Sequence, residues 1–438
     1  MAERALKVGL IGCGTVGSGV VRLLTEEADL YERRLGRRLE IGRVLCRAED
    51  VGESTAQVPD GALVHDVDAF FHRADDCAVM LELAGGKTFA KTVVERALQA
   101  GKHLVTANKA LLAAHGPQLF KLARDNGVCI AFEASCGGGI PIITAMQFNL
   151  IANRITAMYG ILNGTCNYIL TQMTRAGKPY QTALAEAQAA GYAEADPTLD
   201  VNGGDTAHKL AILGSLAFGI SITDDQLPSQ GIDRLELTDI RLGAEMGYEM
   251  KLLAIAEHQA GGLALSVAPC LVARDEQIAQ VSGSFNALSL YGHAVGHTLY
   301  YGRGAGQMPT ASAVVGDLMS IADGAYPAAF THLRGWADQG EAPTLADPDR
   351  IVGRYYMRIN ALDVPGVVAQ FSRIFSDEQI SLAAINQHEV NAGEHVPVVI
   401  VTHEAKAGAV RRAAEAIAAL DAIDGQPVVI RIVDMPEG

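Results

Sequence analysis

The sequence predicts an α/β protein in three parts: a parallel sheet covered by helices on both faces, an α+β domain rich in helix, and a tail in the order βαββαβ. Three observations carry this expectation. Short apolar runs alternate with helical patterns over the first 150 residues, a glycine-punctuated and more helical block follows, and beyond a stretch rich in Pro, Asp and Glu the pattern changes to short strands around two helices. Strand–helix alternation implies parallel strands buried on both faces, and the tail order is the split ferredoxin-like arrangement.

Within residues 1–150, strands are expected at Lys7–Ile11, Val44–Cys46, Val79–Leu83, His103–Thr106 and Val128–Phe132, with helices at Thr88–Ala100 and Pro117–Asp125. Residues 151–304 form the second domain, residues 305–336 return to complete the first, and residues 337–352 read as a linker because they lack periodicity. From 353 to 438 the expected elements are strand Tyr355–Ala361, turn Asp363–Gly366, helix Val367–Ser376, strands Ser381–Glu389 and Val396–Thr402, helix Lys406–Leu420 and strand Pro427–Val433.

The 438 residues suffice for two to four domains at about 100–200 residues each. Apolar residues make up 49% and charged ones 19%, a balance that excludes disorder. With 50 Asp plus Glu against 35 Lys plus Arg the net charge is -15, which opposes nonspecific attraction to nucleic acid and to anionic membranes. Small-molecule chemistry is the expected class. Seven dispersed cysteines without a C-x-x-C pair suggest neither a disulfide framework nor a zinc site and fit a reducing cytoplasm. Val8–Val21 is only 14 residues long with five glycines, so it reads as strand and turn rather than as a signal peptide or membrane span.

Gly12-Cys13-Gly14-Thr15-Val16-Gly17 follows the first apolar strand and opens an amphipathic segment. In that context G-x-G-x-x-G fits a Rossmann-type dinucleotide fingerprint: Gly12 makes the tight turn, Gly14 lets the backbone approach a pyrophosphate, Gly17 allows close helix packing, and the helix N-terminus meets the negative charge. The residue after the second strand is Arg47, which favours the 2′-phosphate of NADP; Glu49 and Asp50, two and three residues on, suit the 2′-hydroxyl of NAD.

Asp205-Thr-Ala-His-Lys209 opens a helix and places a carboxylate and an ammonium at i, i+4, on a stripe shared with Ile212, Leu213 and Leu216. Charges aimed at an apolar stripe are expensive unless they are well paired or have a chemical task. Upstream, Gly191-Tyr-Ala-Glu194-Ala-Asp196-Pro-Thr-Leu-Asp200 gathers carboxylates suited either to water or to a cationic amine. Lys109 and the run Glu133-Ala-Ser-Cys136-Gly-Gly138-Gly-Ile140 lie beyond expected strand ends, where open α/β sheets bind ligands. No tyrosine is followed four residues later by lysine, and His293-Ala-Val-Gly-His297 lacks the Glu of a zinc-protease helix. Lysine is therefore the best candidate for proton transfer.

These residues resemble homoserine dehydrogenase in its longer form with a C-terminal ACT domain. The resemblance runs through GCGTVG, LELAGG (81–86), TANK (106–109), FEASCGGGIPII (132–143), LNGTCNYIL (162–170), GYAEADPTLDVNGGDTAHKLAIL (191–213) and GRGAGQMPTASAVVGDL (302–318). It implies reversible hydride transfer between L-homoserine and L-aspartate 4-semialdehyde, with Lys209 carrying the proton and Asp205 and Lys109 beside it. Glu194 and Asp205, with Lys109, would bind the substrate. Gly12, Gly14, Thr15, Val16, Gly17, Arg47, Lys109, Gly191 and Gly306 would bind NADP or NAD. Glu133, Cys136, Gly138 and Ile140 would hold a sodium or potassium ion, mostly through carbonyl oxygens. The ACT-like tail would bind L-threonine as effector, or serve only to pair subunits in a homodimer or homotetramer. Two rivals stand beside this reading: a related oxidoreductase acting on another amino-acid-derived aldehyde, and a nonenzymatic NADP-sensing regulator.

Overall fold

The computed structural model describes residues 5–52, 55, 57–334, 336, 338–341, 344–387 and 394–436. The chain divides into two compact units, Met1–Ile155 with Ala207–Leu227 and Tyr300–Ala342, and Thr156–Thr206 with Pro228–Leu299 and Pro343–Gly438. This division differs from the expected domain limits, since Ala207–Leu227 groups with the first block and the tail groups with the middle one.

In the first unit the described residues form a six-stranded parallel sheet from β1 (Leu6–Ile11), β2 (Leu39–Leu45), β3 (Leu63–Val64), β4 (Val79–Glu82), β5 (His103–Thr106) and β6 (Ile130–Ala131), in the order β3-β2-β1-β4-β5-β6. The order reverses between β1 and β4, so the loops leaving these strands diverge and open a crevice beyond their carboxyl ends. Ile11 pairs with Glu82 and Glu82 with Thr106, which brings three strand ends to one level.

Two element limits correct the sequence reading. Strand β2 begins at Leu39 rather than Val44, because Glu40 is exposed and Ile41 and Arg43 are half-buried, so only its last residues form an unbroken apolar run. The stretch before it is a helix, Ala28–Leu35, stopped by Gly36 in the left-handed region at φ 74°. The helix expected at Pro117–Asp125 starts at Lys109, where the Asn108 side chain caps it by accepting from Leu111 N at 3.0 Å. The segment Tyr300–Ala342 carries helix Gln307–Ala322, which packs on helix Thr15–Glu26, and Arg124 ties to Asp338 at 3.0 Å.

The second unit is built on a sheet of β7 (Ile155–Ile161), β8 (Tyr248–Gln259), β9 (Gly262–Ala273), β10 (Phe285–Gly292), β11 (Gly296–Arg303), β12 (Val352–Leu362), β13 (Leu382–Gln387), β14 (His395–Thr402), β15 (Ala405–Lys406) and β16 (Val428–Val433). Its order is β11-β10-β7-β8-β9-β16-β12-β14-β13, with β15 on β12; strand β11 carries the chain on into the first unit. The tail keeps the βαββαβ order with helices Val367–Asp377 and Ala407–Ala418 over Met357, Ile359, Phe371, Phe375, Val398, Ile400 and Ile417. His388 and Glu389, expected to extend β13, and Ala337 of the expected linker lie outside the described residues.

Strand β16 lies parallel to β9, pairing Arg431 with Cys270 and Val433 with Val272, so the tail's last strand extends the middle sheet. Buried polar groups fasten this joint. Arg431 meets Glu257 at 2.6 Å, Tyr159 donates to Glu257 at 2.6 Å, and Arg358 and Tyr356 reach Asp239 at 2.7 and 3.0 Å. Burial works against the Glu257 carboxylate, but Arg431 and the hydrogen bonds outweigh it and hold the group below its ordinary range.

Candidate active site

The crevice beside β1 and β4 is a cleft of about 790 Å³, lined by Gly12, Cys13, Gly14, Arg47, Asp50, Leu83–Gly86 and Phe89. Gly12 has φ 93°, and a Cβ there would sit 2.7 Å from the Ala84 backbone, so the turn admits only glycine. At Gly17 a Cβ would meet the Gly12 carbonyl at 2.3 Å, whereas at Gly14 it would find open space. The three glycines thus stand as the fingerprint requires. Thr15 and Val16 open helix Thr15–Glu26, whose N-cap is Gly14 with no side-chain cap, leaving the first-turn N–H groups for a ligand. The Arg47 side chain is 73% exposed and pairs with Asp50 at 2.7 Å and Glu49 at 3.3 Å.

Lys109 is the first residue of its helix and is half-buried. Beside it lies a group that periodicity did not find. Glu82 ends β4 fully buried, accepting from the backbone N–H of Ala84 and Gly85 at 3.1 Å each and from the Thr106 hydroxyl at 2.7 Å. A carboxylate closing the apolar run Val79-Met80-Leu81 was the signal available in the sequence.

The Glu133 loop starts as a 3-10 turn, Glu133–Ser135. The Glu133 carboxylate accepts from Ile143 N at 2.9 Å and Thr144 N at 2.7 Å, while its own N–H donates to buried Asp317 at 2.9 Å. Burial raises both carboxyls, Asp317 well above its ordinary range with the charge of Glu133 adding to the effect. Gly138 has φ 42°, and a Cβ there would lie 2.8 Å from the Gly304 carbonyl. Cys136 and Ile140 are buried in the same loop. Among the described residues no three His, Cys, Asp or Glu side chains converge as metal ligands. The Ile140 carbonyl accepts from Ile142 N at 2.8 Å, so a cation here would be held by carbonyl oxygens already engaged in part.

Helix Gly204–Phe218 carries Asp205 and Lys209 one turn apart, and both are buried, at 4% and 8% exposure. Ile212 and Leu213 are buried on the same helix, as the apolar stripe implied. In the second unit Asn163 donates to Asp205 at 2.9 Å and to Asp200 at 2.8 Å, while its own oxygen caps helix Gly164–Ala176 through Cys166 N. Asn163 belongs to the motif LNGTCNYIL, and its place just before a helix is the signal the sequence offers. Glu194 lies exposed on the loop after helix Tyr180–Ala189, outside the Asn163 cluster, and Gly191 before it has φ 73°. Gly306 caps helix Gln307–Ala322 at φ 130°, ψ 153°, a conformation that favours glycine. His297 stacks on Tyr291 at 4.6 Å and meets the Ser289 hydroxyl at 3.1 Å at the start of β11.

Residues 12–133 match the family described as homoserine dehydrogenase, NAD binding domain; residues 141–319 match homoserine dehydrogenase; and residues 355–419 match the ACT domain. The homoserine dehydrogenase of Pseudomonas aeruginosa is 41% identical over 433 residues, covering 98% of this chain and 99% of that protein. A crystal structure of a homoserine dehydrogenase from Thiobacillus denitrificans superposes with a TM-score of 0.92 at 38% identity, covering 99% of this chain and 100% of that one. A hyperthermophilic archaeal homoserine dehydrogenase in complex with NADPH has a TM-score of 0.61 at 23% identity over 72% of this chain and 97% of that one, and shows likeness of fold alone. With family matches through both catalytic segments and relatives of this identity along nearly its whole length, the chain belongs to the homoserine dehydrogenase family.

Proposed function

We propose that this enzyme interconverts L-homoserine and L-aspartate 4-semialdehyde, with NADP favoured over NAD, in the synthesis of threonine, methionine and isoleucine. The observation that carries the reading is the helix Gly204–Phe218, which buries Asp205 and Lys209 one turn apart in a chain of this family. When bound, the nicotinamide supplies or accepts the hydride. The protein must orient the substrate and manage one proton. Lys209 Nζ gives that proton to the substrate oxygen during reduction and takes it back during oxidation. Asp205, fixed by Asn163, and Glu194 present anions to the substrate ammonium, and Lys109 presents a cation.

Gly12, Gly14, Thr15, Val16, Gly17, Gly191 and Gly306 bind the dinucleotide, and Arg47 meets the 2′-phosphate. That contact requires the guanidinium to be shared with Asp50 and Glu49, which makes the preference for NADP one of degree. A sodium or potassium ion would rest on the carbonyls of Glu133, Cys136, Gly138 and Ile140. The tail binds L-threonine and, with it, sets the activity of a homodimer or homotetramer in the cytoplasm. Homoserine oxidation assayed with NAD+ and NADP+ against a panel of small alcohols tests substrate and cofactor together. Turnover confined to another alcohol would favour the related oxidoreductase, and cofactor binding without any turnover would favour a sensor.

A further inference from the structure

We infer that Glu82 is a positioning residue of the dinucleotide cleft: its ionised carboxylate ties the loop after β4 to the loop after β5 and so sets the places of Gly85, Gly86 and Lys109. This rests on the dehydrogenase reading above and adds a residue to it.

Burying a carboxylate costs several kcal/mol unless its lone pairs are well used. Every hydrogen bond recorded for Glu82 comes from a neutral donor: Ala84 N, Gly85 N, the Thr106 hydroxyl and the Asn108 side-chain amide. Thr106 Oγ1 accepts from Asn108 N at 3.0 Å and donates its single proton to Glu82 at 2.7 Å. The other carboxylate oxygen faces two backbone N–H groups, and an acid proton placed there would have no acceptor. Burial raises the Glu82 carboxyl, and the hydrogen bonds to its charged form oppose that rise.

The network closes on itself. Asn108 Nδ2 donates to Gly86 O at 2.7 Å, and Asn108 Oδ1 caps the helix that Lys109 begins. Gly85 and Gly86, at φ 72° and 75°, form the cleft wall, and the preceding Ala84 backbone lies against Gly12. One carboxylate therefore holds the wall that the dinucleotide meets and, through Thr106 and Asn108, the start of the helix bearing Lys109.

The test uses the purified full-length protein and the variants Glu82→Gln, Thr106→Val and Thr106→Ser. Binding of NADPH and NADH is read by fluorescence, kcat and KM by homoserine oxidation, and folding by the thermal midpoint. Glu82→Gln keeps the shape but places an N–H2 group where an acceptor is needed. It should weaken dinucleotide binding about fivefold or more and lower kcat at saturating cofactor about tenfold, with folding retained. Thr106→Val, which is isosteric without the hydroxyl, should weaken binding in the same direction, and Thr106→Ser should recover at least about half of that loss in log affinity. Dinucleotide binding by Glu82→Gln within about twofold of wild type overturns the inference, as does Thr106→Ser as impaired as Thr106→Val, which would make packing the cause. If Glu82→Gln does not fold, the Thr106 pair decides alone. A wild type that binds dinucleotide but does not oxidise homoserine sinks the substrate assignment and leaves the binding comparison intact; a wild type that binds neither NADPH nor NADH overturns both.

Discussion

Lys209 and Lys251 are both buried lysines, and their surroundings give them different consequences. Lys209 shares its helix with Asp205, so Lys209→Ala should retain NADPH binding while turnover falls about 10²- to 10⁴-fold, the usual share of a general acid–base group. Kinetics beside a fluorescence titration would check it, and activity within threefold of wild type would remove Lys209 from the mechanism. Lys251 on β8 is 4% exposed, and its ammonium donates to Val281 O at 2.6 Å. Burial pushes its pKa from 10.5 down to about 8. Between those values the unfolded chain holds the extra proton, so this lysine costs stability in full below about pH 8 and the cost fades as pH rises towards 10.5. Buried cysteines and tyrosines with raised pKa values act oppositely over the same range, so the effect is isolated by difference. The stability of Lys251→Met relative to wild type should fall by up to about 3 kcal/mol from pH 8 to pH 10.5 in denaturant titrations; a flat difference would contradict it. The Asp205–Lys209 pair was legible because both charges fall on one apolar stripe within five residues. Glu82 was not, since its partners Ala84, Gly85 and Thr106 reach it through loop closure and strand pairing, which helical or strand periodicity does not encode.

The elements show the same division between local and distant causes. The glycine loop could be read in advance because each glycine's task is set within a few residues of strand and helix. What could not be read is that the Ala84 backbone excludes a Cβ from Gly12. Gly12→Ala should therefore strain the turn and displace the loop after β4, costing more than about 1 kcal/mol of stability and weakening dinucleotide binding about tenfold or more. Thermal melts and NADPH titration would show it, and normal affinity would mean the loop yields freely. Strand β2 and the helix from Lys109 were underestimated for related reasons. Half of β2 carries exposed or half-buried residues, and the first turn of the helix is secured by the Asn108 cap, with Pro117 falling well inside it. The tail's strands and helices were placed within a few residues because their apolar positions alternate or recur at helical spacing over a single core.

At the scale of the whole molecule, the tail's membership of the middle sheet was invisible in the sequence, where a linker seemed to set it apart. Nothing in Val428–Val433 names Gly262–Ala273 as its parallel neighbour, and the Arg431–Glu257 pair spans 174 positions. Deleting everything after Pro348 would expose the edge of β9, leave Glu257 buried without its guanidinium, and strip Arg358 from Asp239. Removing one partner from a buried ion pair costs about 3–5 kcal/mol. The truncated protein should aggregate or melt at least about 10 °C lower than the full chain, measured by scattering and calorimetry; an unchanged midpoint would show the tail to be an accessory. The same ladder has a meaning for heat. Because β9 and β16 share hydrogen bonds, the tail and the middle sheet should melt in a single cooperative step, so an amino acid that binds only the folded tail raises the melting point of the middle strands joined to it. At a ligand concentration a hundredfold above Kd that linkage is worth about 2.7 kcal/mol. Such a ligand would protect the middle strands of the sheet from unfolding whether or not it alters the rate of reaction.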